Sequence, residues 1–426
     1  MKDSISSIPM DHGTGLLAGG TDRRENHLVQ RRQQDGEKPL RLIYFSPFEA
    51  GGLADYAHEQ ANALQESGVQ VMFLSTPAAI ARKKNAKYQP CPQLMEAPRG
   101  NGSRSLLARR IGTTRYILKN VGLLLDSVRR EGADRVLFCS YSEYLAPLWA
   151  PRLKQLARRG VVFGSVIHDP VRSFVVGPVL WHRWSVACGY SFLKEAFVHE
   201  AIELDTGSPA PRLRTTVIPH GPYSFPPSGS TRANTRDRLG IPRNARVLLS
   251  FGHIRDAKNL DLTLRALARC PDFYLLVAGQ ASSASQKPVS HYRELAANLG
   301  VAGRCRWEAR HIGEDEVGGL FEAADLILLT YGAEFRSASG VLNAAVQFRK
   351  TCLTSSGQGN LKSVVEKYGL GVWIESDSES AIIQGLQGWP RNWPTPDWDR
   401  YAAENSWRRN AALVKSRMFV GAGVQK

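Results

Sequence analysis

The hydrophobic pattern of the chain alternates between two periods, and it does so twice. Apolar runs of strand length stand at 40–45, 69–74, 135–140, 161–167, 196–199 and 215–218, and stretches with helical spacing separate several of them, the first at 53–65. A second series begins near 246–251 and continues near 273–278, 304–308, 325–330 and 351–354. Short, continuous apolar strands alternating with helices imply parallel sheets covered on both faces. Between the series lies Pro222-Tyr223-Ser224-Phe225-Pro226-Pro227-Ser228-Gly229-Ser230, a linker by composition. The expected fold class is therefore α/β, with two Rossmann-like doubly wound domains, 39–221 and 243–395, facing each other across a cleft and joined by a linker at 222–242. Residues 1–38 are polar and lack periodicity, which predicts a disordered tail. The last segment, 396–426, carries Trp398, Tyr401 and Trp407 ahead of a helical run to Met418.

Length and composition agree with this plan. A chain of 426 residues, 43% of them hydrophobic, has enough apolar material for two cores. No apolar run reaches the roughly 18 residues of a membrane-spanning helix. The apolar patch around Leu16-Leu17-Ala18 is too short for a secretory leader. The six cysteines are scattered with no C-x-x-C pair, so neither a zinc site nor a disulfide framework is indicated. These features predict a cytoplasmic protein. The net charge is +16, while residues 1–38 hold equal numbers of acids and bases, so the excess belongs to the folded body. Much of it lies between Arg82 and Arg159, interleaved with apolar residues as in Leu106-Leu107-Ala108-Arg109-Arg110-Ile111. Such a surface suits an anionic membrane face, a polyphosphate or nucleic acid, or is simply solvated, and no nucleic-acid-binding motif accompanies it. No nucleic-acid partner is expected.

Phe251-Gly252-His253-Ile254-Arg255-Asp256-Ala257-Lys258-Asn259 carries the clearest chemistry. An apolar strand runs into Gly252, Arg255 and Lys258 follow three residues apart, and an amphipathic run starts at Leu260. Gly252 permits a sharp turn, the two cations can face one anion, and a helix N-terminus behind them adds unpaired N–H groups. The stretch reads as a diphosphate cradle without the Lys-Ser/Thr ending of a P-loop. It also suits an ordinary strand–helix loop with solvated charges, and taken alone it does not separate the two.

Further signals stand in order along the chain. Ser46-Pro47-Phe48-Glu49-Ala50-Gly51-Gly52-Leu53 is a strand end with a glycine turn, where Gly51 and Gly52 let a ligand approach the backbone. Val166-Ile167-His168-Asp169-Pro170 ends another strand with an imidazole. Val217-Ile218-Pro219-His220-Gly221 precedes the linker. Ala324-Asp325 opens an apolar strand to Thr330-Tyr331, followed by Glu334-Phe335-Arg336-Ser337-Ala338-Ser339-Gly340-Val341-Leu342-Asn343. A helix starting near Ser339-Gly340 would aim N–H groups at an anion. Asn405-Ser406-Trp407 precedes the final helix. Asp397-Trp398-Asp399 lies far from these signals and makes a poor metal site.

In this order the motifs resemble those of the retaining glycosyltransferases of family 4, which have the GT-B fold, and specifically a branch with Phe-Gly-x-Ile-Arg-x-x-Lys and Ser-Gly-Val motifs. The resemblance spans about 40–418. It implies a metal-independent, retaining hexosyltransferase that moves a hexose from a nucleotide-diphosphate sugar to a glycan or polyprenyl-diphosphate-linked acceptor, with no cofactor, in surface polysaccharide biosynthesis at the inner face of the cell membrane. The catalytic group it implies is Arg255 and Lys258 on the diphosphate, His168 on the sugar, and Glu334. Donor-binding residues would be Gly51, Gly52, Gly252, Ser339, Gly340 and Asn343. The chain departs from the family's Glu-x7-Glu: Phe335 and Asn343 take the two glutamate places, with Glu334 adjacent, and Phe348-Arg349-Lys350 replaces the usual Gly-x-Pro. The departure keeps two alternatives open. One is a catalytically inactive nucleotide- or glycan-binding partner of another enzyme; the other is a GT-B nucleotide-sugar epimerase.

Overall fold

The architecture follows from eleven runs of apolar residues that pair in parallel and two short strands added at sheet edges. A computed structural model describes residues 39–420 apart from 84, 99–105, 171, 173, 174, 176 and 282–285. The expected tail at 1–38 lies outside the described residues. The first sheet contains β1 (Arg41–Ser46), β2 (Gln70–Ser75), β3 (Gln89–Cys91), β4 (Arg135–Phe138), β5 (Val162–Val166), β6 (Glu195–Val198) and β7 (Arg214–Val217), in the order β3-β2-β1-β4-β5-β6-β7. The second contains β8 (Arg246–Phe251), β9 (Phe273–Ala278), β10 (Cys305–Glu308), β11 (Leu326–Thr330), β12 (Cys352–Ser355) and β13 (Gly371–Trp373), in the order β10-β9-β8-β11-β12-β13. Every pairing is parallel; Ile43, for example, lies opposite Met72 on one side and Val136 on the other. The central strands are buried on both faces, which is why they read as unbroken apolar runs.

The sequence pattern missed β3 and β13. Each has three residues and lies at a sheet edge; Gln89-Pro90-Cys91 contains a proline, and Gly371-Val372-Trp373 begins with a glycine. Neither offers enough alternation to register as a strand.

In both sheets the chain winds outward one way, returns to the centre and winds the other way. The reversals fall between β1 and β4 and between β8 and β11. Ligands of doubly wound sheets bind beyond the carboxyl ends of the strands at such points. The segments leaving those four strands are Pro47–Gly51, Cys139–Ser142, Gly252–Asn259 and Tyr331–Ser339.

Helices cover all four sheet faces. In the first lobe, helices Leu106–Glu131, Ala146–Arg158 and Val179–Tyr190 pack Leu124, Trp149 and Val186 on Phe138 and Phe163. The opposite face holds Gly52–Glu66 and, beside it, the C-terminal helix Trp407–Met418. The C-terminal helix starts at Ser406, whose hydroxyl accepts from Arg409 N at 3.3 Å, and it is locked down by a buried polar chain. Tyr44 donates to Gln60 (2.7 Å), Gln60 to Asn410 (2.7 Å), and Asn410 to the Pro219 carbonyl (2.7 Å) just before the linker. Each member is satisfied, so the chain fixes one packing of helix, lobe and linker.

The second lobe closes with Arg236, which is 1% exposed and donates to the carbonyls of Ala323, Arg243 and Ala245 and to Asp325. Asp325 also accepts from Val247 N at 2.8 Å. Asp325→Ala would leave a buried guanidinium without its countercharge, so we expect a loss of about 3–5 kcal/mol, read as a fall in the denaturant midpoint of the second lobe.

Candidate active site

Three of the four segments, those leaving β4, β8 and β11, line a cavity of about 560 Å³ between the lobes, faced on the first-lobe side by Leu53, Ser140, Tyr141, His168 and Asp169 and on the second by Arg255, Ala257, Glu334, Phe335, Arg336 and Ser337; the Gly51-Gly52 turn, Lys258 and Ser339 stand outside that lining. Ser337 donates to Asp169 across the gap at 2.5 Å.

The cationic loop is held by the strands that flank it. Gly252 has φ +85 and Asn259 φ 51, left-handed values that bound the turn. Thr330 Oγ1 donates to the Lys258 carbonyl (2.9 Å) and Gly332 N to the Ala257 carbonyl (3.0 Å), which ties the loop to the end of β11. Asp256 accepts from Lys287 N and from the Tyr292 hydroxyl, so the acid inside the motif points to structure and away from the cations. Arg255 lies over the rings of Tyr331 and Phe335, 5.9 and 5.7 Å from their centroids, and those rings stack at 4.1 Å. Lys258 Nζ donates to the Phe251 carbonyl. Among the described residues neither cation has a carboxylate partner. Burial, and then the Arg255 charge, lower the Lys258 amine to about 7.

The helix Gly340–Phe348 starts beside this loop: Val341 and Lys258 are both neighbours of Gly252. Ser339 caps it, accepting from Leu342 N at 3.2 Å, and its hydroxyl also meets the Tyr331 hydroxyl at 3.1 Å. The first-lobe glycines approach the same loop and the linker. A Cβ on Gly51 would come within 3.7 Å of His253, and one on Gly52 within 3.9 Å of the Tyr223 hydroxyl. Tyr223 donates to the Gly52 carbonyl (3.1 Å) and lies against Gly340, so one linker side chain joins the glycine turn to the helix start. The sequence marked Tyr223 only as linker; an aromatic inside a Pro/Ser-rich stretch was the available signal.

His168 stands just past the end of β5, its ring perpendicular to that of Tyr56 with the centroids 4.6 Å apart and its Nε2 3.8 Å from the Cys139 sulfur. Burial, with His199 and His220 nearby, pushes its pKa well below the ordinary imidazole value, so the ring is neutral near pH 7. His220 donates through Nδ1 to the Gly221 carbonyl at 2.8 Å, and Trp407 covers Gly221 so closely that a Cβ there would lie 2.4 Å from the indole.

Asn343 does not face the cavity as a ribose ligand should. Its amide is 2% exposed, donates to the Ser339 carbonyl (3.1 Å) and accepts from the Tyr401 hydroxyl (2.6 Å). Both ends of the amide are engaged, and the side chain ties the helix start to the C-terminal segment. Glu334 is exposed on the cavity rim, next to Phe335. The Phe348-Arg349-Lys350 segment also has structural work: Arg349 takes a left-handed conformation and pairs with Asp399, and Lys350 donates to the Ala324 carbonyl at 2.8 Å. Asp397 caps the helix Trp398–Glu404. Both acids of the Asp-x-Asp are thus occupied, and among the described residues no group of three His, Cys, Asp or Glu side chains is arranged to hold a metal. All six cysteines are free thiols.

Several cations of the basic stretch are paired. Lys83 bridges Asp55 of the first lobe and Glu314 of the second, and Lys87 pairs with Glu66.

Residues 231–406 match the family model Glycosyl transferases group 1. D-inositol 3-phosphate glycosyltransferase of Streptomyces coelicolor is 28% identical over 209 residues, 47% of this chain and 43% of the relative. The enzyme of the same name from Thermobispora bispora is 32% identical over 187 residues, 42% of each chain. The chain thus spans less than half the length of these curated relatives. Among solved structures, a glycosyltransferase from Rickettsia africae superposes with a TM-score of 0.64 at 14% identity, covering 90% of this chain and 98% of that one. Anabaena Alr3699/HepE in complex with UDP-glucose superposes with a TM-score of 0.64 at 13% identity, covering 89% and 98%. At such identities the likeness is one of fold. The two-lobed α/β chain has the GT-B fold, and its residues 231–406 are similar to the glycosyl transferases group 1 family.

Proposed function

We propose that the protein is a retaining, metal-independent hexosyltransferase that uses a nucleotide-diphosphate sugar and passes the hexose to a hydroxyl of a glycan or lipid-linked acceptor. The observation that carries the reading is the pair Arg255 and Lys258: two cations of one turn beside the start of the helix at Gly340, with no carboxylate partner among the described residues, Arg255 lining the inter-lobe cavity and Lys258 packed next to it against Gly252. Unneutralised, partly buried cations are costly, and a bound diphosphate offsets that cost. The match of 231–406 to the group 1 model and the UDP-glucose complex of the Anabaena fold relative support a sugar nucleotide as donor.

In this reading the bond from the sugar C1 to the diphosphate oxygen breaks, and negative charge grows on the departing phosphate. Arg255, Lys258 and the N–H groups that begin the helix at Gly340 stabilise it. Neutral His168 hydrogen-bonds the sugar, while Gly51 and Gly52 let the backbone close over the phosphates. The acceptor hydroxyl attacks on the face the phosphate leaves, and its proton passes to that phosphate. No protein nucleophile takes part. Glu334 on the rim contacts the sugar or the incoming acceptor. A thermal-shift screen of UDP, GDP and ADP sugars tests the reading: one class should raise the melting temperature, and none doing so would contradict it.

Proton linkage gives a second test. With its pKa near 7 in the free protein, Lys258 is charged below that pH and neutral above it. A diphosphate needs the ammonium, so above pH 7 binding takes up a proton. Affinity for UDP should then fall by up to about tenfold per pH unit between 7 and 9, since the ligand is already fully ionised there. Folding runs the other way. The unfolded lysine keeps its proton to about 10.5, so this group's contribution to stability is least favourable below pH 7 and improves as pH rises towards 10.5. Calorimetric titration of UDP across this range should give a slope that Lys258→Met removes; a flat wild-type profile would contradict the assignment.

A further inference from the structure

The three helices Leu106–Glu131, Ala146–Arg158 and Val179–Tyr190 lie side by side on one face of the first sheet, and their outer side is unusual in two respects. First, it exposes large apolar residues at helical spacing. Leu180 is 84% exposed, Val179 62% and Trp184 55% on one helix, Leu148 projects from the next, and Ile111 and Leu118 form a seam on the third. Most of the exposed large hydrophobic residues in the described chain belong to this face and the segments that border it. Second, the three helices contain ten Lys or Arg residues and two acids, and both acids, Asp126 and Glu131, lie near the C-terminal end of the longest helix. The Ile111 and Leu118 seam is flanked by Arg110, Arg115 and Lys119.

We propose that this face docks on an anionic lipid bilayer. Exposed apolar and indole side chains between cations suit the boundary of headgroups and acyl chains, where the hydrocarbon is buried and the charges meet lipid phosphates. A protein partner would need complementary acids set among apolar sockets, whereas a fluid anionic surface satisfies a broad field of cations without a fixed register. No helix among the described residues is long and apolar enough to cross the membrane, so the contact is interfacial. The docking face borders the active-site cavity: Tyr144, His182 and Ser185, which line it, come from the same helices and the turn before them. Resting on the proposed transferase function, the consequence is that the acceptor is lipid-linked and enters the cavity from the bilayer surface.

Sedimentation with vesicles tests the docking. Vesicles of phosphatidylcholine with about one quarter phosphatidylglycerol should bind the protein at least about tenfold more tightly than phosphatidylcholine alone. The double variant Leu180→Asp/Trp184→Asp should lose about tenfold or more of that binding. Arg110→Glu/Arg115→Glu should lose it too, without touching the apolar contacts. UDP binding and the melting temperature, measured alongside, report whether each variant is folded. No binding to anionic vesicles, binding unaffected by both double variants, or a dimer in sedimentation velocity that the apolar variant dissociates would each overturn the inference. If vesicle binding fails while UDP still binds, the docking face alone is refuted. If UDP does not bind but vesicles do, the transferase reading fails and the docking face stands.

Discussion

Lys258→Met is expected to lower kcat/KM for sugar transfer by about 10²–10³-fold, roughly 3–4 kcal/mol of transition-state stabilisation, while the protein stays folded. The two outcomes separate because the residue's cost and its use lie in different states. In the empty site the ammonium is disfavoured by burial and by Arg255, and among the described residues its hydrogen-bond acceptor is the Phe251 carbonyl. Methionine fills a similar volume without charge, so the melting temperature without ligand at pH 7 should stay the same or rise. With the diphosphate departing, the missing charge has no substitute, since Arg255 is held by the rings of Tyr331 and Phe335 and Ser339 by its cap. A variant that lost activity only through unfolding, or kept full activity, would contradict the role given to Lys258.

Gly279→Ala should disrupt the same loop without touching a charge. Gly279 ends β9 with φ +141, and a Cβ there would stand 2.2 Å from the Gly252 carbonyl oxygen, backbone against backbone. Gly252 is fixed in turn by its N–H bond to the Ala278 carbonyl at 2.9 Å, so neither strand can yield cheaply. Strain and clash together should cost the second lobe about 3 kcal/mol, a fall of about 6–12 °C in melting temperature. UDP affinity should fall as well, because the displaced carbonyl opens the cationic turn. Gly240→Ala is the control. It also has positive φ, but its Cβ would meet only the flexible end of Arg306 at 3.7 Å, so about 1 kcal/mol and unchanged UDP affinity are expected. Equal effects at the two glycines would refute the close approach of β9 to the turn.

The sequence made the strands and the layout of the cationic turn legible where the cause was local. β8 running into Gly252, Arg255 and Lys258 is a contiguous pattern, and Ser339 before an apolar helix is a cap wherever it occurs. Gly279 was passed over because its constraint comes from a neighbouring strand 27 residues earlier in the chain. Asn343 was assigned to ribose by its place in a motif, but Tyr401, 58 residues on, claims its carbonyl. Lys83 counted towards a basic surface until the fold brought Asp55 and Glu314 to it. β3 and β13 owe their pairing to the sheet they extend and carry too few residues to announce it. What is hidden, in each case, is a contact between distant residues, and such contacts decide which polar groups remain available to a ligand.

The central claim is that the second lobe grips a diphosphate between its cationic turn and the start of the helix at Gly340, opposite the first-lobe glycines. A crystal structure of the protein with UDP tests it most directly. The account predicts both phosphates within hydrogen-bond distance of Arg255, Lys258 and the Gly340 or Val341 N–H, with His168 facing the vacant sugar position. UDP bound elsewhere, or in the cleft with both cations turned away from its phosphates, would contradict it.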